Sequence, residues 1–184
     1  HTRCSRDWSS DVCSADLVIE DDQDIVIIDC GVMFPENEML GVDLVIPDVT
    51  YLASRLDRIR GVILTHGHED HVGALPYILP QLAFPPLWAT PLTAGLISGK
   101  LREHRLADRV QVNLIDPADP VTFGGFIADF FHVCHSVPDG VGVALRTPAG
   151  TIVHTGDFKF DHTPVRSEEH TSELQSRLHL VCRL

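Results

Sequence analysis

Long apolar runs, patterned cysteines and positive charge are what this sequence has least of, and each shortage removes a class of function. No apolar stretch approaches the roughly 20 residues that a membrane-spanning helix needs. The opening His1-Thr2-Arg3-Cys4-Ser5-Arg6-Asp7 is not followed by the apolar core of a signal peptide. A soluble, cytoplasmic protein with no membrane partner is therefore expected. The five cysteines (Cys4, Cys13, Cys30, Cys134, Cys182) are odd in number and lack CxxC spacing, which argues against a disulfide framework and against a cysteine zinc finger. Lysine and arginine number 14 against 26 acidic residues, a formal charge of −12. That total excludes a generally basic nucleic-acid-binding surface, although bound divalent cations and local patches lie outside it.

What the sequence has is enough apolar material for one domain and an excess of histidine. With 184 residues, 44% of them hydrophobic, the chain suffices for one core and is too short for two domains of ordinary size. From Leu17 to Val165, strand-like apolar runs alternate with turn residues and two helices. Residues 1–16 and 166–184 are rich in Ser, Arg and isolated charges without periodicity; they resemble translated sequencing-adapter tails and are read as non-native.

Within 17–165, Leu17–Ile19 and Ile25–Ile28 flank the acidic turn Glu20–Asp24, a hairpin pattern. Asp48 is expected to cap a short helix over Tyr51–Arg58, and Gly61–Leu64 reads as a buried strand. Helical spacing runs from His71 to Leu79, and Thr90-Pro91 opens a second helix to about Arg105. Strands are expected at Val110–Ile115, Phe126–Phe131, Val141–Arg146 and Thr151–Thr155. Hairpins mixed with strand-helix-strand units predict a layered α/β sandwich with a mixed sheet.

The chemistry concentrates in Thr65-His66-Gly67-His68-Glu69-Asp70-His71, immediately after the Gly61–Leu64 strand. In an extended turn, side chains at i and i+2 leave on the same side, so His66 and His68 can share one ion. Asp70 and His71 begin a helix, where the change of backbone direction can aim them at a second ion. A catalytic zinc takes three protein ligands and keeps a position open, so more donors are required. His135, in Phe131-His132-Val133-Cys134-His135-Ser136-Val137-Pro138-Asp139, and Asp157, in His154-Thr155-Gly156-Asp157-Phe158, both follow strands and qualify.

Four passages together resemble the bacterial ribonuclease J family, RNA nucleases of the metallo-β-lactamase fold and β-CASP type: IIDCGVMFPENEMLGVDLVIPD, THGHEDHVGALPYIL, HSVPD and HTGDFKFD. The resemblance covers Leu17 to Val165 and implies a partial αββα sandwich over those residues, the first part of a metallo-β-lactamase domain. It implies that His66, His68 and His135 hold one zinc, that Asp70 and His71 hold another, and that Asp157 bridges the two. Two Zn2+ ions are the implied cofactors, with Mn2+ possible because His and Asp donors accept several divalent ions; no small-molecule cofactor is expected. The implied activity is hydrolysis of RNA in 5′-exo- and endonucleolytic processing and decay by a homo-oligomeric parent protein, with Asp70 or Asp157 orienting the attacking water and handling its proton. Asp29 matches the family's first-motif aspartate, either as an outer partner orienting the histidine loop or as a strand-end cap. Lys159 is a candidate for meeting phosphate.

Three departures from the family bear on activity. The chain ends before the β-CASP region, no residue matches a further histidine for the second zinc, and the glycine-rich opening strand is absent. An inactive or unstable fragment with an unpaired sheet edge is therefore expected. His132 and Cys134 read as packed side chains, and Lys100, Arg102, Arg105 and Arg109 as a solvated helix end complementing the dipole. Competing functions are a thioester hydrolase or lactamase on the same fold, or a non-catalytic zinc-binding scaffold.

Overall fold

The computed structural model describes residues 3–6, 16–35 and 38–159. Two sheets form. The first has six strands in the order β1 (Arg3–Arg6), β2 (Leu17–Glu20), β3 (Ile25–Ile28), β4 (Ile59–Ile63), β5 (Leu87–Ala89) and β6 (Val112–Leu114). β1 to β3 are antiparallel, and β3 to β6 run parallel. The second is a four-stranded antiparallel sheet, β10 (Gly150–His154), β9 (Val141–Thr147), β8 (Phe126–His132) and β7 (Val121–Phe123).

Strand periodicity sorts the apolar side chains into two cores. On β3, Ile25 and Ile27 join one cluster while Val26 and Ile28 join the other, because successive strand side chains point to opposite faces. The first cluster is closed by four helices: α1 (Thr50–Ala53), α2 (Glu69–Val72), α3 (Leu75–Ile78) and α4 (Pro91–Glu103), through Leu52, Val72, Leu75, Ile78 and Ile97. The second is closed by the other sheet through Phe126, Ala128, Phe130, Val143 and Leu145. The continuous apolar runs of β3 and β4 thus follow from burial on both faces. Helix, sheet and sheet are three layers of the expected αββα sandwich.

The expected unpaired edge is not observed. Arg3–Arg6 pairs with Leu17–Glu20, Arg3 opposite Glu20 and Arg6 opposite Leu17; backbone groups alone can satisfy a sheet edge, so no glycine-rich sequence is required. Residues 1, 2, 7–15 and 166–184 of the expected tails lie outside the described residues. Asp16, also placed in a tail by its sequence, is buried and accepts the Gly31 N–H at 2.8 Å. Burial pushes its carboxyl up to about 7.

Two helix boundaries differ from expectation. The first helix stops at Ala53 and resumes as a 3-10 turn at Leu56–Arg58, with Asp48 accepting the Thr50 N–H at 2.9 Å ahead of it. The helix expected from His71 to Leu79 breaks into α2 and α3, because the Ala74 N–H turns to the Cys30 carbonyl at 3.0 Å. β5 and β7 carry no strand signal in the sequence, because at three residues each they are too short to show alternation.

Candidate metal centre

All six expected donors gather where strands of the two sheets end side by side. β4 runs into His66 and His68, α2 carries Asp70 and His71, the loop after β8 carries His135, and the turn after β10 carries Asp157. Nδ1 of His68 lies 2.9 Å from Nε2 of His66 and 3.2 Å from Nε2 of His135. Tetrahedral zinc with bonds of about 2.0–2.1 Å sets its nitrogen donors about 3.3 Å apart, so three ring nitrogens face one another at close to ligand spacing. A second triad comprises His66, His71 and Asp157, with donor atoms within 4.8 Å of one another. Asp157 Oδ2 stands 3.5 Å from His71 Nε2 and 3.8 Å from His135 Nε2, which puts it between the two groups. Asp70 is farther out, its Oδ2 3.8 Å from His71 Nε2 and its side chain half exposed. The donor set fits two divalent cations.

Asp29 organises this cluster from below. It is fully buried at the end of β3, with φ +62°, a left-handed conformation that aspartate tolerates better than most residues. Its Oδ1 accepts the Thr65 N–H at 2.8 Å. Its Oδ2 accepts both the Thr65 hydroxyl and His71 Nδ1–H, each at 2.8 Å. With the Thr65 hydroxyl donating to Asp29, its oxygen accepts from His66 Nδ1, 3.1 Å away. One carboxylate therefore keeps protons on the Nδ1 atoms of two histidines and leaves both Nε2 lone pairs for a cation. On His68 the roles reverse: Nε2 lies 3.0 Å from Ser136 Oγ, leaving Nδ1 inward. Thr65 and Ser136 sit inside the passages that carry the ligands, but nothing in their spacing announces these contacts.

Burial and the neighbouring carboxylates set the protonation of the cluster. Burial, then the charge on neighbouring His71, lowers His66 to about 4. Burial opposes protonation of His71 too, but the Asp29 hydrogen bond and the carboxylates of Asp29, Asp157 and Asp70 outweigh it and raise His71 to about 9. Cation binding must displace that proton.

Lys100 Nζ is held by the Glu69 carboxylate at 2.6 and 2.8 Å, and Arg109 covers the Phe84 ring at 3.8 Å, protein partners that the solvated helix end expected from sequence did not include. His132 and Cys134 join neither donor triad. Lys159 is exposed, and its backbone N–H donates to the Cys134 carbonyl at 2.7 Å. Asp161, His162 and the histidines beyond lie outside the described residues.

Asp29→Asn, isosteric and compatible with the positive φ, turns an N–H2 group toward donors. Zinc affinity is expected to fall about 10–100-fold, the usual cost of losing such a supporting partner. Competition titration against a chromophoric chelator reads it, and an unchanged constant would reject the role.

The metallo-beta-lactamase superfamily model matches residues 14–181. Ribonuclease J of Helicobacter pylori is 47% identical over 150 residues, 81% of this chain and 22% of that protein. Ribonuclease J2 of Bacillus subtilis is 44% identical over 151 residues, covering 82% and 27%. The chain thus spans about a quarter of the length of these curated relatives. Among solved structures, the metallo-beta-lactamase fold protein YhfI of Bacillus subtilis superposes with TM-score 0.59 at 17% identity, covering 84% of this chain and 59% of that one. Zn(2+)-bound PqqB of Methylobacterium extorquens superposes with TM-score 0.54 at 18% identity, covering 78% and 50%.

Proposed function

Because the chain belongs to the metallo-β-lactamase superfamily, we propose that it is the metal-holding part of a ribonuclease of the J type, which hydrolyses RNA phosphodiester bonds. The observation that carries this is the His66, His68 and His135 triad with His71 and Asp157 beside it, set in a chain 47% identical to a ribonuclease J over 150 residues. His66, His68 and His135 hold one ion; Asp70 and His71 hold the other; Asp157 lies between them. Zinc suits the His-rich triad, and manganese is the alternative.

When bound, two such ions supply a water of pKa near 7 and neutralise charge on the phosphodiester. The protein's own groups do the rest. Asp29 and Thr65 hold the imidazoles in one tautomer and one orientation. Asp70 and Asp157, half exposed at the mouth, orient the attacking water and accept its proton. Lys159 meets a phosphate of the RNA. The parent protein acts in the cytoplasm as a homo-oligomer on RNA, with no small-molecule cofactor. Among the described residues no helix is long and apolar enough to cross a membrane.

Removing metal from the complete protein with a chelator should abolish cleavage of a 5′-labelled RNA, and two equivalents of zinc or manganese should restore it. Cleavage persisting below one metal equivalent, or hydrolysis of thioesters or lactams in place of RNA, would overturn the assignment.

A further inference from the structure

Helix α4 touches both segments that carry the histidines. Its first turn has backbone N–H groups with no partner inside the helix, and Thr90, the residue in the N-cap position, makes no side-chain bond to them. The Thr90 hydroxyl donates instead to Thr93 Oγ1 at 3.1 Å. The Leu92 N–H is met from another part of the chain: it donates to Asp139 Oδ2 at 2.8 Å. Asp139 is only 9% exposed, and its Oδ1 is buried with no hydrogen-bond partner among the described residues. A carboxylate in that position gains from the partial positive charge of the helix end.

Asp139 belongs to the loop that holds His135. The loop is pinned at its base by the Val133 N–H to the Gly140 carbonyl, 3.0 Å, and by the Val141 N–H to the Thr65 carbonyl, 3.0 Å. Farther along, the same helix supports the other histidine segment. Leu96 packs against Gly67, and Lys100 holds Glu69 between His68 and Asp70.

We propose that Asp139 is a positioning residue for the metal centre: by docking the His135 loop on the N-terminus of α4, it sets the separation of His135 from His66 and His68. The proposal rests on the metal reading of that triad. Asp139 touches no donor atom of the triad and acts through the helix.

The test is metal binding by the 184-residue chain, with zinc affinity measured by chelator competition and the visible spectrum of the cobalt(II)-loaded chain reporting ligand geometry. Asp139→Ala is expected to weaken zinc about 10–100-fold, as losing a supporting partner does, and to alter the cobalt spectrum. Asp139→Asn keeps an acceptor for Leu92 and should recover most of the affinity and the parent spectrum. Leu52→Ala, which opens a cavity under α1 and leaves α4 in place, should lower Tm while leaving affinity and spectrum unchanged. Where Asp139→Ala does not fold, Asp139→Ser, too short to reach Leu92, takes its place. A parent chain that binds no metal overturns the metal reading and this proposal with it. A parent that binds while Asp139→Ala binds equally, or while Leu52→Ala weakens binding as much, overturns the proposal alone.

Discussion

In the complete protein, Asp157→Ala should reduce RNA hydrolysis by about 10³-fold or more, roughly 4 kcal/mol at 1.36 kcal/mol per factor of ten. Asp157 Oδ2 reaches toward both His71 and His135, at 3.5 and 3.8 Å, and no other carboxylate among the described residues joins a donor triad. Its loss therefore affects both groups of donors together, where the loss of Asp70 touches only the outer one. Gly156 allows the approach: at φ +59°, a Cβ there would lie 3.0 Å from the Val141 carbonyl. Single-turnover cleavage with metal content measured in parallel is the decisive assay. A variant retaining both metals and parental rates would remove Asp157 from the mechanism.

Gly31→Ala should be among the most destabilising substitutions available, about 3 kcal/mol or more, above the usual range for overpacking because the obstruction is backbone. A Cβ at Gly31 would fall inside the Asp70 carbonyl group and 2.9 Å from the His71 nitrogen. These neighbours cannot rotate away. They are held by Cys30 N–H to the His71 carbonyl at 2.7 Å and Val32 N–H to the Glu69 carbonyl at 3.1 Å. Gly95→Ala and Gly99→Ala on α4 should go the other way, gaining about 0.5–1 kcal/mol each, since nothing lies within 4 Å of a Cβ at either position. Denaturant unfolding reads both signs. Equal midpoints for Gly31→Ala and the parent would mean that the Asp70–His71 backbone does not pack against Gly31.

Much of the site was legible because its donors are local. His66, His68, Asp70 and His71 lie within six residues, and the apolar strand ahead of them, Val62 to Leu64, needed only its own composition to be read as buried. His135 and Asp157 could be picked out because each follows a strand, and strands of a layered sheet end together. β5, the division of α2 from α3, and the pairing of Arg3–Arg6 were not legible. Each depends on a hydrogen bond to a distant segment, such as Ala74 to Cys30, and not on a pattern within the element.

The residue types that can bind a cation, and their order along the chain, are local properties that ligand chemistry imposes on any fold. Which nitrogen of each imidazole faces inward is not local. It follows from Asp29, Thr65 and Ser136 lying against the opposite nitrogens, contacts made across 68 residues in the case of His68 and Ser136. The same holds for Asp139, whose carboxylate reads in sequence as an ordinary turn aspartate and becomes the cap of a helix begun 48 residues earlier, at Pro91. Hydrogen bonds of this kind exist only once the two sheets have packed, since packing is what removes the water that would otherwise satisfy the same groups.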